Sequence, residues 1–306
     1  MTKRILITGS SGTIGTRLAE KLLEKGFEVV GLDNRPNEWK PEIDKLTVKA
    51  DIRNPDAFEG LPNGIDMIIH LAANALVYPL VVEPKKALDN MITTFNALEF
   101  ARQRGVRQFM FGSSREIYGN SDKIVHKEED ACLEGSESPY AAMKLAAEAM
   151  IRAYHQCYGI EFIIIRFSNV YGMYDSSDRL IPRSIRRANS GQELEVYGKD
   201  KMLDFTYIDD SINGIIRAVE RFPEAKNQAY NLATGKATGI MDVVEMVNKI
   251  MGEKSSIKIT DSRPGEVIKY VADISKAKQK LGYEPKVGIE EGIKRSIEWY
   301  KVNGII

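Results

Sequence analysis

The chain has 306 residues, of which 43 are Lys or Arg and 43 are Asp or Glu, so its formal net charge is zero. At 43% hydrophobic and 28% charged it can bury a sizeable core, and its length fits one large α/β domain or a domain with a smaller lobe. The charge balance excludes a nucleic-acid or anionic-membrane binder driven by bulk charge, two cysteines exclude a disulfide framework, and three dispersed histidines leave no zinc-ligand spacing.

Residues 4–8 read as the first strand, reached directly from the N-terminus without the apolar stretch of a signal peptide. Gly9, Gly12 and Gly15 follow in a GxxGxxG pattern that opens an amphipathic helix over residues 14–25. Gly9 permits a tight turn, Gly12 lets backbone approach a pyrophosphate, and Gly15 allows close helix–strand packing; the helix N-terminus offers free N–H groups and a positive dipole end. Asp33 closes the second strand, residues 28–33, where a carboxylate bonds adenosine ribose hydroxyls and repels a 2′-phosphate. That favours NAD, although Arg35 is the residue type that binds such a phosphate.

Further strands are predicted at 46–50, 67–71, 108–113 and 161–168, most of them continuous in Val, Ile, Leu and Phe, as strands buried on both faces must be. Helices are predicted at 86–103 and 139–158. Strand and helix in alternation imply right-handed crossovers and a Rossmann-like, doubly wound parallel α/β sheet. After Gly172 helices dominate, with short strands at 193–197, 204–208, 229–232 and 256–260. The expected division is a dinucleotide-binding domain over 1–172, to which later segments return, and a smaller interleaved substrate lobe over 173–306. No apolar run approaches the ~18 residues of a membrane span. The reading is a cytoplasmic protein with no metal, no nucleic-acid partner and no membrane partner.

Tyr140 and Lys144 stand four residues apart early in the 139–158 helix, so phenol and ammonium share one face. A free phenol, with pKa ~10, is a poor base at neutral pH. A lysine cation and an oxidised nicotinamide nearby are expected to lower it, and Lys144 can hold the nicotinamide ribose. A hydroxyl of Ser113-Ser114, at a strand end, can orient a substrate hydroxyl. Alone, the Tyr–Lys spacing equally describes a half-buried tyrosine beside a solvated lysine; the glycine loop upstream decides for a site. The 11 methionines read as core filling.

Taken together, the motifs TGSSGTIG (8–15), LDN (32–34), ADIRN (50–54), HLAA (70–73), SSREIYG (113–119), SPYAAMK (138–144), RFSNVYG (166–172), YGKDKMLDFTYIDD (197–210) and RPGE (263–266) follow in a specific order. By them the chain resembles, over nearly its whole length, the extended short-chain dehydrogenase/reductase family in its nucleotide-sugar epimerase/dehydratase branch. The resemblance implies NAD bound by Gly9, Gly12, Thr13, Ile14, Gly15, Asp33 and Asn34, with Asp51 and Ile52 flanking the adenine. It implies Leu71, Ala72 and Ala73 as a cleft wall and Ser114, Tyr140 and Lys144 as the catalytic set. Asn169 and Arg263 match residues on the substrate diphosphate, and residues 194–197, ending in Tyr197, match a strand along the nucleotide base.

The implied chemistry is oxidation at sugar C4 to a 4-keto sugar, followed by epimerisation, loss of water, or loss of carbon dioxide from a uronic acid. Epimerisation of a UDP-glucose/UDP-galactose type substrate needs only Ser114, Tyr140 and Lys144. Glu116 departs from that pattern and matches the base of 4,6-dehydratases and UDP-glucuronate decarboxylases; it reads equally as a base or as a partner of Arg115 or Arg179. A second departure is Leu203, where the family carries a diphosphate-clamping arginine that Lys201 or Arg179 would have to replace. Arg179, Arg183, Arg186 and Arg187 read mainly as a solvated helix face, with Arg179 as the ligand contact. The family commonly dimerises through the helices here at 86–103 and 139–158, so a homodimer is expected. A non-catalytic NAD-binding sensor and an enzyme that releases NADH are the other readings; the combination of Ser114, Tyr140 and Lys144 argues against the sensor.

Overall fold

The structure is a computed structural model that describes residues 2–306. Seven parallel strands form the central sheet: β1 Arg4–Thr8, β2 Glu28–Asp33, β3 Thr47–Lys49, β4 Met67–His70, β5 Gln108–Ser114, β6 Glu161–Phe167 and β7 Gln228–Leu232. Their spatial order is β7-β6-β5-β4-β1-β2-β3. The chain therefore winds one way from β1 to β3 and the other way from β4 to β7. The switch between β1 and β4 opens a crevice at the C-terminal strand ends, the ligand position of this topology.

The apolar runs are explained by two cores. Ile5, Ile7, Met67, Ile69, Met110, Ile163 and Ile165 pack into one cluster, with α1 (Thr13–Glu24). Their neighbours Leu6, Ile68, Phe109, Phe111, Phe162 and Ile164 pack into the other, with α2 (Lys85–Arg104) and α3 (Pro139–Tyr158). Successive strand side chains point to opposite faces, so a strand covered on both sides must be apolar at every position. On α3, Ser138 caps the start by accepting from the Ala141 N–H at 3.2 Å, Pro139 occupies the first turn, and Gly159 ends the helix in the left-handed conformation at φ 67°.

Beyond β6 the chain alternates between sheet and outer layer. Asn169–Tyr171 continues from the end of β6 and pairs in parallel with Phe205–Tyr207. Leu194–Tyr197 pairs in parallel with Ile257–Thr260. Between these strands lie α4 (Leu180–Asn189) and α5 (Ile208–Glu220), and α5 shares the first core cluster with α1. β7, the strand expected at 229–232, belongs to the central sheet, with Gln228 opposite Ile163 and Leu232 opposite Phe167. A short helix, Val77–Val82, follows β4 where the residue pattern shows no helical period. Among the described residues no helix is long and apolar enough to cross a membrane.

Candidate active site

The crevice is a cleft of about 890 Å³ between the C-terminal strand ends and the outer layer. Fifteen of the expected site residues line it: Gly9, Gly12, Thr13, Ile14, Gly15, Leu71, Ala73, Ser114, Glu116, Tyr140, Lys144, Asn169, Arg179, Tyr197 and Arg263. They come from segments up to 254 positions apart, from Gly9 to Arg263. Asp33, Asn34, Asp51, Ile52 and Ala72 lie behind or beside this lining. Asp33 is buried, accepting the Ser11 and Arg35 N–H groups at 3.0 Å each, and so anchors the glycine loop from behind. Asn34 is exposed, Asp51 pairs with Arg53, and Ile52 is packed in the second core cluster.

At the loop end the backbone is shaped for a close ligand. Gly9 has φ 76°, and a Cβ there would meet the Ala72 nitrogen at 2.7 Å; one on Gly15 would collide with the Gly9 carbonyl. The N-terminus of α1 has no side-chain cap and no acidic residue in its first turn. Its N–H groups thus open into the cleft, as a dinucleotide pyrophosphate requires. Thr13 Oγ donates to the Tyr174 carbonyl at 3.1 Å, tying this end to the outer layer.

At the other end Tyr140 is 5% exposed and lines the cleft together with Ser114. Burial pushes the phenol above its ordinary value; the Ser114 hydroxyl, Arg179 and Arg115 oppose this and Glu116 adds to it. Burial dominates in the protein alone; the expected lowering belongs to Lys144 and an oxidised nicotinamide acting together, and the Lys144 ammonium lies 5.8 Å from the Tyr140 ring centre. Lys144 Nζ donates to the Gly112 carbonyl at 2.6 Å and lies 4.6 Å from the Phe111 ring centre, with burial pushing its pKa down to about 8.

Behind this pair lies a buried polar network absent from the sequence reading. Glu148, on the same helix as the exposed Arg152 and Gln156, is 4% exposed. Its carboxylate accepts from Ser113 Oγ at 2.6 Å and from Arg166 Nε and Nη2 at 3.0 and 2.8 Å. Arg166 also donates to Tyr118 Oη at 3.0 Å and to the Glu128 carbonyl at 2.6 Å. A signal existed: Tyr140, Lys144 and Glu148 are spaced by four, so one inward helix face carries all three. The network fixes the end of β5, which bears Ser114, against α3, which bears Tyr140 and Lys144.

Glu116 is both buried and paired. Its Oε1 lies 2.7 Å from Arg115, not Arg179, while Glu116 Oε2 and Arg115 Nη1 have no partner. Burial raises its pKa, Arg115 opposes that, and Glu266 adds to it. Arg115 Nε donates to Asn169 Oδ1 at 3.3 Å. Leu203 lines the cleft, and Lys201 is held by Glu266. The solvated reading of the arginine cluster is corrected for its inner members. Arg183 is 7% exposed inside the cleft, and Arg186 is partly buried, donating to the Ser177 carbonyl at 2.8 Å. Arg187 pairs with Glu195 at 3.3 Å, and Arg179, 38% exposed, stands 3.9 Å from Asp175.

The family model described as "NAD dependent epimerase/dehydratase family" matches residues 5–233. A UDP-glucuronate 4-epimerase of Thermodesulfobacterium geofontis is 33% identical over 97% of this chain and 96% of its own. Among solved structures, the UDP-glucose 4-epimerase of Thermotoga maritima with UDP-glucose superposes with a TM-score of 0.89 at 29% identity, covering 98% of this chain and 99% of that one. An NAD-dependent NDP-hexosamine 5,6-dehydratase of tunicamycin biosynthesis superposes with a TM-score of 0.88 at 28% identity, covering 98% of each chain.

Proposed function

The chain belongs to the NAD dependent epimerase/dehydratase family, and from that premise we propose that it is a 4-epimerase of a UDP-hexose, of the UDP-glucose/UDP-galactose type. The observation that carries this reading is Ser114, Tyr140 and Lys144 lining one cleft with the uncapped glycine-loop helix. Bound NAD supplies hydride exchange at the sugar C4. Tyr140 takes the proton of the C4 hydroxyl and returns it after the ring has turned over. Ser114, in the cleft with the phenol, orients that hydroxyl. Lys144, anchored on the Gly112 carbonyl, holds the cofactor's ribose beside the phenol. Gly9, Gly12, Thr13, Ile14 and Gly15 cradle the pyrophosphate, with Asp33 and Asn34 on the adenosine ribose. Asp51 and Ile52 flank the adenine, while Leu71, Ala72 and Ala73 wall the cleft. Asn169, Arg179, Tyr197 and Arg263 face the nucleotide of the substrate.

A second reading rests on Glu116, which lines the cleft with one carboxylate oxygen unpartnered and its pKa raised by burial. A carboxylate so placed can remove a proton beside a 4-keto group, as a 4,6-dehydratase or UDP-glucuronate decarboxylase requires. NMR of the products from UDP-hexoses and UDP-glucuronate in deuterated water separates the two. The expected result is a C4 epimer with no deuterium at C5. Deuterium at C5, or release of water or carbon dioxide, would replace the first reading with the second.

A second copy of the chain is the partner we propose for the outer faces of α2 and α3. Leu88, Ile92 and Phe95 form an i, i+4, i+7 stripe on α2, 51, 37 and 45% exposed, and Tyr158 at the end of α3 is 46% exposed. Sedimentation at micromolar concentration is expected to show a dimer, and a monomer there would remove this partner.

A further inference from the structure

Charge in the substrate end of the cleft is mostly neutralised within the protein. Arg115 is held at 2.7 Å by Glu116, Lys201 by Glu266, and Arg187, just behind, at 3.3 Å by Glu195. Two further guanidinium groups meet at the Tyr197 ring, neither with a carboxylate closer than 3.6 Å. Arg263 has no carboxylate within 4 Å among the described residues and lies 3.7 Å from the Tyr197 ring centre and 4.8 Å from that of Tyr78. Arg183 is 7% exposed, and its nearest carboxylate is that of Asp178, 3.6 Å away on a side chain 66% exposed.

Arg183 sits 5.4 Å from the centre of the same Tyr197 ring, and its Nη2 donates to the Glu195 carbonyl at 3.2 Å. Tyr197 Oη in turn donates to Glu195 Oε2 at 2.8 Å. The strand Leu194–Tyr197 therefore fixes both the ring and the arginine before any ligand arrives. A buried guanidinium without a close carboxylate is costly unless an anion completes it. The buried Arg183 and the half-buried Arg263 against one aromatic ring suit a ligand with several acceptor oxygens and more than one negative charge, beside a planar base.

Resting on the nucleotide-sugar reading above, we infer that Arg183 is a substrate-binding residue that grips the diphosphate together with Arg263, Tyr197 being the ring between them. This puts Arg183 of α4 in the site rather than on the solvated helix face that the sequence favoured. It also supplies the cation that Leu203 cannot.

The test is titration calorimetry of the NAD-loaded protein with UDP, on wild type, Arg183→Ala, Arg183→Met and Arg183→Lys. One charge-assisted phosphate contact sets the expected scale, a UDP Kd weakened about 10- to 100-fold in Arg183→Ala. Arg183→Met keeps an apolar stem against Tyr197 without the charge and is expected to lose as much. Arg183→Lys recovers part of the affinity, and bound NAD stays at the wild-type level in all three. An unchanged UDP Kd in Arg183→Met overturns the inference and leaves the proposed function standing. Loss of NAD alongside UDP marks a general structural role and overturns it too. Failure of the wild-type protein to bind UDP overturns the UDP-sugar reading and this inference with it.

Discussion

Tyr140→Phe is expected to lower kcat by about 10³-fold, within the range of about 10²–10⁴ for loss of a general acid–base group, while the protein stays folded and keeps its NAD. The substitution removes one oxygen and preserves the ring, which packs with Leu80 and Ala87 in a small cluster beside the cleft. On the proposed reading the Tyr140 hydroxyl, in the cleft with Ser114, is the group whose proton moves to and from a sugar oxygen. The same reading puts cofactor retention on the backbone cradle at Gly9–Gly15 and on Lys144, neither of which the change touches. Turnover on the UDP-hexose panel and the nucleotide released on denaturation measure the two parts separately. Near-normal kcat would remove Tyr140 as the base; loss of NAD would show that the phenol holds the cofactor as well.

Glu148→Ala is expected to destabilise the protein by about 3–5 kcal/mol, the scale for removing one member of a buried ion pair. Arg166 would remain 3% exposed without its carboxylate, and Ser113 Oγ would lose its acceptor. Burial works against the charge of Arg166, and the two-pronged bond to Glu148 more than offsets it, holding the guanidinium pKa above its ordinary value. The cost therefore comes from the orphaned charge rather than from lost volume. Pairing Glu148→Leu with Arg166→Met is expected to cost less than Glu148→Leu alone, because no charge is then left buried. Midpoints of denaturant unfolding check both; a Glu148→Ala loss below about 1 kcal/mol would show that water or another group completes Arg166.

β1, β2 and α3 begin and end where the residue pattern places them, and the other sheet strands differ by one residue, β3 at both ends and the rest at one. Their signals are local: β-branched and aromatic runs, a Ser-Pro start, a glycine stop. The sequence pattern did not reveal the helix Val77–Val82, whose six residues are too few for a helical period. It placed 229–232 as a strand but gave no neighbour for it, because pairing with β6 joins residues far apart in the chain. The catalytic spacing from Tyr140 to Lys144 was legible for the same local reason as the helix that carries it.

The sequence by itself determined the doubly wound sheet, the glycine loop at its first turn and the Tyr140–Lys144 pair, since each depends on period or spacing along the chain; the other cleft residues followed from the family resemblance. What only the tertiary structure decided is which charges are solvated. Glu148 and Arg183 are both charged yet buried, one completed by Arg166 and the other 3.6 Å from the exposed Asp178. Lys144 is drawn to the Gly112 carbonyl with a pKa of about 8, and burial raises the Tyr140 phenol in the protein alone. Burial and ionisation depend on what distant segments bring within a few ångströms, and the linear spacing of residues carries no measure of that.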